Sequence, residues 1–198
     1  MFGANSYLTD KEITKLGLKH VGRNVKISKL ANFYGAQYVS IGSNSRIDDF
    51  CILSASREGS ISVGNNVHIS AGVYLFGTYG IQIGDFSGLS SGVKIYSTSD
   101  DYSGEFLTNP TVSREFLNTK NELVIIEKHA IIGAGSVVLP GVVVSEGVAV
   151  GALSLVNKSL DSWSIYAGQP VKKIKERSKN LLTLEAQFLK SESKPDAT

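Results

Sequence analysis

From Ile126 onward a large apolar residue returns at every sixth position: Ile126, Ile132, Val138, Val144, Val150 and Val156. Four residues after each of the first five leads comes a small or β-branched side chain, at Ala130, Ser136, Val142, Val148 and Ser154. An earlier tract keeps the same count with interruptions, led by Val21, Ile27, Ile41, Ile47, Val63, Ile69, Leu75, Ile83, Leu89 and Ile95. Six is neither the helical period nor the strand period. It predicts strands of two or three residues joined by turns, and the Asn, Gly and Asp between the leads suit left-handed backbone. Three such strands close a triangular coil of about 18 residues, and stacked coils bury the leads in a column. The expectation is an all-β fold, a parallel β-helix of hexapeptide repeats over residues 21–160. An ordinary sandwich would instead show period-two alternation over longer runs.

The count fails once, in "YSTSDDYSGEFLTNP" and on to Leu123, which predicts a protruding loop over about 97–123. The flanks read differently. Residues 1–20 hold a short capping helix: Thr9 and Glu12 have capping-box spacing, Ile13 and Leu16 share a face, and Gly17 can end it. Residues 161–198 read as a C-terminal helix and tail, with Ile174, Leu181, Leu182, Phe188 and Leu189 on its apolar side and "SESKPDAT" disordered.

The chain of 198 residues is 42% hydrophobic and 19% charged, as in a soluble globular domain. A net charge of +2 gives no electrostatic case for a nucleic-acid partner. The single cysteine, Cys51, sits among apolar neighbours and reads as a buried, inert thiol in a reducing compartment. No window approaches the length of a membrane span, and the N-terminus lacks the order of a signal peptide, so a cytoplasmic location is expected.

Taken together, "IIGAGSVVLPGVVVSEGVAVGALSLVNKSL" and "IYAGQPVKKIK" resemble the hexapeptide-repeat acyltransferases. "IDDFCILS", "IYSTSDDYSGEFLTNPTV" and "GALSLVNKSL" resemble the branch that N-acetylates nucleotide-linked amino sugars, the dTDP-4-amino-4,6-dideoxyglucose type, for surface polysaccharide such as O-antigen. The resemblance implies a left-handed β-helix, a homotrimer, acetyl-CoA as co-substrate, and active sites between subunits.

Acyl transfer must hold the thioester, remove a proton from the acceptor and stabilise the oxyanion. Family positions for the pantetheine arm fall on Gly133, Ala134, Gly151, Ala152 and Ser154. The other reading is that these small residues merely turn the repeat. The basic residues Lys158, Lys172, Lys173, Lys175, Arg177 and Lys179 follow the last coil. Lys172, Lys173 and Lys175 are the first candidates for the phosphates of CoA, against the reading of a solvated helix face.

The family's loop histidine is replaced here by Asp100. Three readings stand: Asp100 or Asp101 accepts the proton, the two bind the acceptor while the proton leaves to water, or both are turn residues. His68 competes for the base role, with an ordinary surface histidine as the alternative. His129 falls near the CoA coils, and His20 is assigned nothing. A sugar O-acetyltransferase is the runner-up. A non-catalytic β-solenoid and a zinc enzyme are the more distant classes. The wide spacing of the three histidines argues against the zinc enzyme, and no metal is expected.

Overall fold

The two inward positions of each hexad, the lead and the residue four further on, line one continuous apolar column in the computed structural model, which describes residues 6–192. The helix α1 (Asp10–Lys15) precedes that column. Thr9 caps it through the predicted box with Glu12, Ile13 is buried, and Gly17 follows at φ 69°.

Coil one contains β1 (His20–Val21), β2 (Lys26–Ile27) and β3 (Asn32–Tyr34). Coil two contains β4 (Val39–Ile41), β5 (Arg46–Ile47) and β6 (Ile52–Ala55). Coil three contains β7 (Ile61–Val63), β8 (His68–Ile69) and β9 (Tyr74–Gly77). Coil four contains β10 (Ile81–Ile83), β11 (Gly88–Leu89) and β12 (Lys94–Tyr96). The loop strands β13 (Thr98–Ser99) and β14 (Lys120–Asn121) intervene. Coil five contains β15 (Val124–Ile126), β16 (Ile131–Ile132) and β17 (Val137–Val138), and coil six β18 (Val143–Val144), β19 (Ala149–Val150) and β20 (Leu155–Val156). A hairpin of β21 (Ser164–Gly168) and β22 (Val171–Glu176) closes the stack, followed by α2 (Asn180–Glu192).

Each strand pairs in parallel with its counterpart in the next coil, which gives three flat faces. The result is the left-handed parallel β-helix that the resemblance implied. Every lead from Ile27 to Val156 is buried, as are Ala130, Ser136, Val142, Val148 and Ser154. Inward serines bond to backbone: Ser45 Oγ donates to the Gly64 carbonyl at 2.8 Å and Ser87 Oγ to that of Glu127 at 2.9 Å. A buried hydroxyl is tolerated because it closes such a bond.

Coil length differs from the expectation in the first half. Val21 pairs with Ile41, Ile41 with Val63 and Val63 with Ile83, so these coils run 20, 22 and 20 residues. Only later, from Ile126 to Val144, is the coil 18 residues. The additional residues sit between the third face and the first, as in the 3₁₀ turn Ala36–Tyr38. The loop leaves the stack at that same corner, and Lys94 still pairs with Val137 across it.

Three further sequence expectations are corrected here. The segment read as one C-terminal helix begins as β22, antiparallel to β21, and only Asn180–Glu192 is helical. Its docking side holds only part of the expected apolar stripe: Phe188 meets the Phe86 ring edge-on, with 6.0 Å between centroids. Glu185 meets Lys128 Nζ at 2.6 Å and His129 Nε2 at 2.9 Å, whereas Ile174, Leu182 and Leu189 are exposed. The left-handed corners are not reserved for Asn and Gly either. Phe50, Phe86, His129, Leu153 and Trp163 all have φ between 54° and 62°. Side chains stacked along the corner hold such strained backbone in place: the rings of Phe86 and His129 lie 5.4 Å apart.

Candidate active site

Two regions of the surface carry chemistry. The first is the loop. Its stem is the antiparallel pair of β13 and β14, tied by Thr98 Oγ1 donating to Asn121 Oδ1 at 2.6 Å. Buried Ser97 anchors the base, accepting from the Tyr79 amide at 2.9 Å and donating to the Phe76 carbonyl at 3.1 Å. Between loop and third face opens a cavity of about 990 Å³, lined among others by Tyr79, Tyr96, Asp100, Arg114, Asn121 and Leu139. Tyr96 stacks on Phe76 with 5.3 Å between centroids, and burial pushes its phenol above the ordinary value.

The adjacent aspartates part company. Asp100 lines the cavity, and its Oδ1 accepts only a long bond from the Asn109 amide, at 3.4 Å. Asp101 instead braces the loop. Its carboxylate accepts from Ser103 Oγ, from the Ser103 amide at 2.7 Å and from Asn118 Nδ2 at 2.9 Å. The Ser103 hydroxyl first, then the Ser103 amide, hold its carboxyl below the usual carboxylate range.

The second region is the corner between the second and third faces. The paired leads Ile27, Ile47, Ile69, Leu89, Ile132, Val150 and Tyr166 put their following residues in one column. From first coil to last that column reads Ser28, Asp48, Ser70, Ser90, Gly133, Gly151, Ala167. A Cβ on Gly133 would lie 2.4 Å from the Ala152 nitrogen, so coil stacking alone requires glycine there. The Gly133 and Gly151 amides are used between coils, donating to Val150 and Tyr166 carbonyls at 2.8 Å each. Ala134 and Ala152 are exposed one residue further along, and among the described residues their amides donate to no partner. Ser154 does not face the groove. It is buried, its Oγ donates to the Gly151 carbonyl at 2.7 Å and accepts from the Gly168 amide at 3.1 Å.

The basic patch also divides. Lys172 lies opposite Ala167, whose Cβ is 3.0 Å from the site of a Gly151 Cβ, so it stands at the late end of this corner. Lys175 lies opposite Ile165, and Lys173 is paired with Glu176 at 2.6 Å. Arg177 Nη1 donates to the carbonyls of His129 and Gly147, at 2.9 and 3.0 Å, and so clasps the coils. Lys179 Nζ lies 5.5 Å from the centroid of the Trp163 ring.

His68 projects outward from the second face, with Nε2 2.7 Å from Asp48 Oδ2. It does not line the loop cavity of its own chain. His129 is buried under α2, and His20 is exposed on β1. Sequence reasoning passed over Ser90 and Asp48. Only the corner register aligns them with Gly133 and Gly151.

A family profile described as the hexapeptide repeat of succinyl-transferase matches residues 38–76 and 123–152, on either side of the loop. The chain is 45% identical to the dTDP-4-amino-4,6-dideoxy-D-glucose acyltransferase of Escherichia coli, over 92% of this chain and 95% of that one. It superposes on AntD, an N-acyltransferase from Bacillus cereus solved with dTDP-4-amino-4,6-dideoxyglucose and coenzyme A, with a TM-score of 0.91 and 47% identity. That match covers 95% of this chain and 99% of AntD. A further AntD structure, with dTDP and 3-hydroxybutyryl-CoA, matches at 46% identity over 96% of this chain and 100% of that one, with a TM-score of 0.91. The chain belongs to the hexapeptide-repeat acyltransferases, in the same family as these two enzymes.

Proposed function

We propose that the protein transfers an acyl group from acyl-CoA to the amine of a nucleotide-linked 4-amino-deoxy sugar. The observation that carries this reading is the likeness to AntD over nearly the whole of both chains, loop included. Acetyl is the expected acyl group, and 3-hydroxybutyryl, carried by CoA in one AntD complex, is the second to test.

Among the AntD structures are variants of one serine and of one aspartate ten residues further on. Ser90 and Asp100 have that spacing here, as do Ser91 and Asp101. The first pair suits the chemistry better, because Asp100 borders the cavity and Asp101 is consumed by the loop. Within one coil the third face separates Ser90 from Asp100. A site that uses both takes Ser90 from one copy and Asp100 from the loop of the next, as in a homotrimer. The loop's apolar exposure supports such a contact: Tyr102 is 92% exposed and Phe116 53%.

The pantetheine arm would lie along the late corner against the amides of Ala134 and Ala152, with Lys172 and Lys175 toward the phosphates. The neutral amine attacks the thioester carbonyl near Ser90. The C–N bond forms, the C–S bond breaks, and the amine proton passes to Asp100 or to water it holds. An amine is nucleophilic once neutral and needs less base help than a hydroxyl, so a carboxylate in the histidine's place favours N- over O-acylation. Among the described residues no helix is long and apolar enough to cross a membrane. The setting proposed is the cytoplasm, supplying surface-polysaccharide precursors.

The deciding experiment follows thiol release from acetyl-CoA and 3-hydroxybutyryl-CoA against dTDP- and UDP-linked 4-amino sugars and their hydroxyl counterparts. Turnover confined to amino sugars supports the proposal. Turnover only with hydroxyl acceptors overturns it.

A further inference from the structure

The early coils carry polar side chains that the acyl-transfer steps leave unused. Lys26, Arg46 and His68 occupy the same register position on the second face, each outward beside the buried Ile27, Ile47 and Ile69. Neighbouring strands lie about 4.8 Å apart, so the three groups form a ladder roughly 10 Å long. They line a shallow cleft of about 440 Å³ together with Asn24, Asn44 and Asn66.

Asp48 organises the ladder. It takes Arg46 Nε at 3.0 Å and Nη2 at 3.2 Å, and His68 Nε2 at 2.7 Å. Tyr7 donates to Asp48 Oδ1 at 3.4 Å. The grip leaves the Arg46 Nη1 hydrogens and His68 Nδ1 without partners among the described residues. Lys26 forms no ion pair among them either. Lys26 and Arg46 against Asp48 leave a net positive charge on a wall rich in donors, which suits phosphate oxygens.

The ladder is placed to receive them. Gly88 continues its register above His68 and lies two residues before Ser90. A Cβ on Gly88 would meet only Ile131 Cγ1, at 3.9 Å, so the wall is recessed there. From late coils to early ones, the order is CoA corner, Ser90, Gly88 recess, His68, Arg46, Lys26. In a nucleotide-linked 4-amino sugar the reacting nitrogen and the diphosphate lie across the ring from each other. With the amine at Ser90 and the sugar over Gly88, the diphosphate falls on the ladder.

We infer that Lys26, Arg46 and His68, aligned by Asp48, form the diphosphate subsite for the acceptor. This rests on the nucleotide-sugar reading above. The test is calorimetric titration of the full-length protein and its Lys26→Ala, Arg46→Gln and Arg114→Gln variants with dTDP, thymidine and CoA. Lys26→Ala removes no ion pair or side-chain hydrogen bond among the described residues, and CoA affinity checks that each variant is folded. The expected result is dTDP binding at least tenfold weaker for Lys26→Ala and for Arg46→Gln, with thymidine and CoA unchanged. In turnover, KM for the amino sugar rises while kcat holds. Affinity for dTDP within twofold of wild type in both variants overturns the subsite, as does a loss confined to Arg114→Gln. If wild type binds CoA but not dTDP, the nucleotide-sugar reading falls with it.

Discussion

Replacing Gly133 by alanine separates the two readings of the small-residue column. The new Cβ would sit 2.4 Å from the Ala152 nitrogen, 2.6 Å from the Gly151 carbonyl carbon and 2.8 Å from the Ala152 Cα. Ordinary contact between such atoms is about 3.5–4.0 Å, so three backbone atoms overlap by roughly 1 Å. None belongs to a flexible side chain, so coils five and six must part. That movement strains two bonds, Gly133 amide to Val150 carbonyl and Leu153 amide to Ala134 carbonyl, each 2.8 Å. Overpacking costs about 1–3 kcal/mol and each weakened hydrogen bond up to about 1 kcal/mol. The alanine's effect on the unfolded chain returns about 0.4–1 kcal/mol. The net is about 2–3 kcal/mol, or a melting temperature lower by roughly 4–12 °C for a chain of this size. Differential scanning calorimetry without ligand measures it, with Gly88→Ala, which meets only Ile131 at 3.9 Å, as the neutral control. A Gly133→Ala protein that melts within 1 °C of wild type yet loses CoA binding would refute the coil-packing argument and return Gly133 to the ligand.

Asp100→Asn should lower kcat/KM by about 100-fold if the carboxylate takes the proton, whereas Asp101→Ala should act through a loosened loop, raising KM with kcat within a few-fold. Steady-state kinetics on both decides between them. Glu185 is held below its ordinary value of 4.5, by Lys128 first and then by its bond to His129, so its contribution is full above that value and is lost as pH falls through the lower folded one. Glu185→Gln should therefore cost about 1–2 kcal/mol at neutral pH, discounted for partial exposure of Lys128, and little at low pH. Melting curves across pH measure the difference. Burial pushes the Cys51 thiol up to about 11, so a thiol reagent at pH 8 should label it only after unfolding, followed by mass.

How far the sequence could be read depends on whether a residue's role is set by its own coil or by its neighbours. The inward leads are local in this sense: a six-residue return has one geometric solution, and every lead from Ile27 to Val156 is buried as expected. Thr9 and Glu12 are local too, since a capping box closes within one turn. The Lys172–Glu176 segment failed that test. Its spacing fitted a helix, but the open edge of β21 offers backbone pairing that outweighs a weak helical pattern. Ser154 failed for a related reason. Its hexad position is inward, and only the β21 turn beyond it shows that its hydroxyl is spent on Gly151 and Gly168.

The sequence by itself determined the stack, the point where the loop leaves it and the N-terminal helix, because hexad period, its interruption and capping chemistry are all short-range. Only the tertiary structure distinguished Asp100 from Asp101, because identical neighbours acquire different roles from Asn118 and Ser103 on one side and the cavity on the other. It also joined His68 to Asp48 and Arg46, 20 and 22 residues earlier in the chain, in one cluster. In a β-helix, residues one coil apart become touching neighbours. Coil length varies from 18 to 22 residues, so which ones touch is settled by the stacking register rather than by the count along the chain.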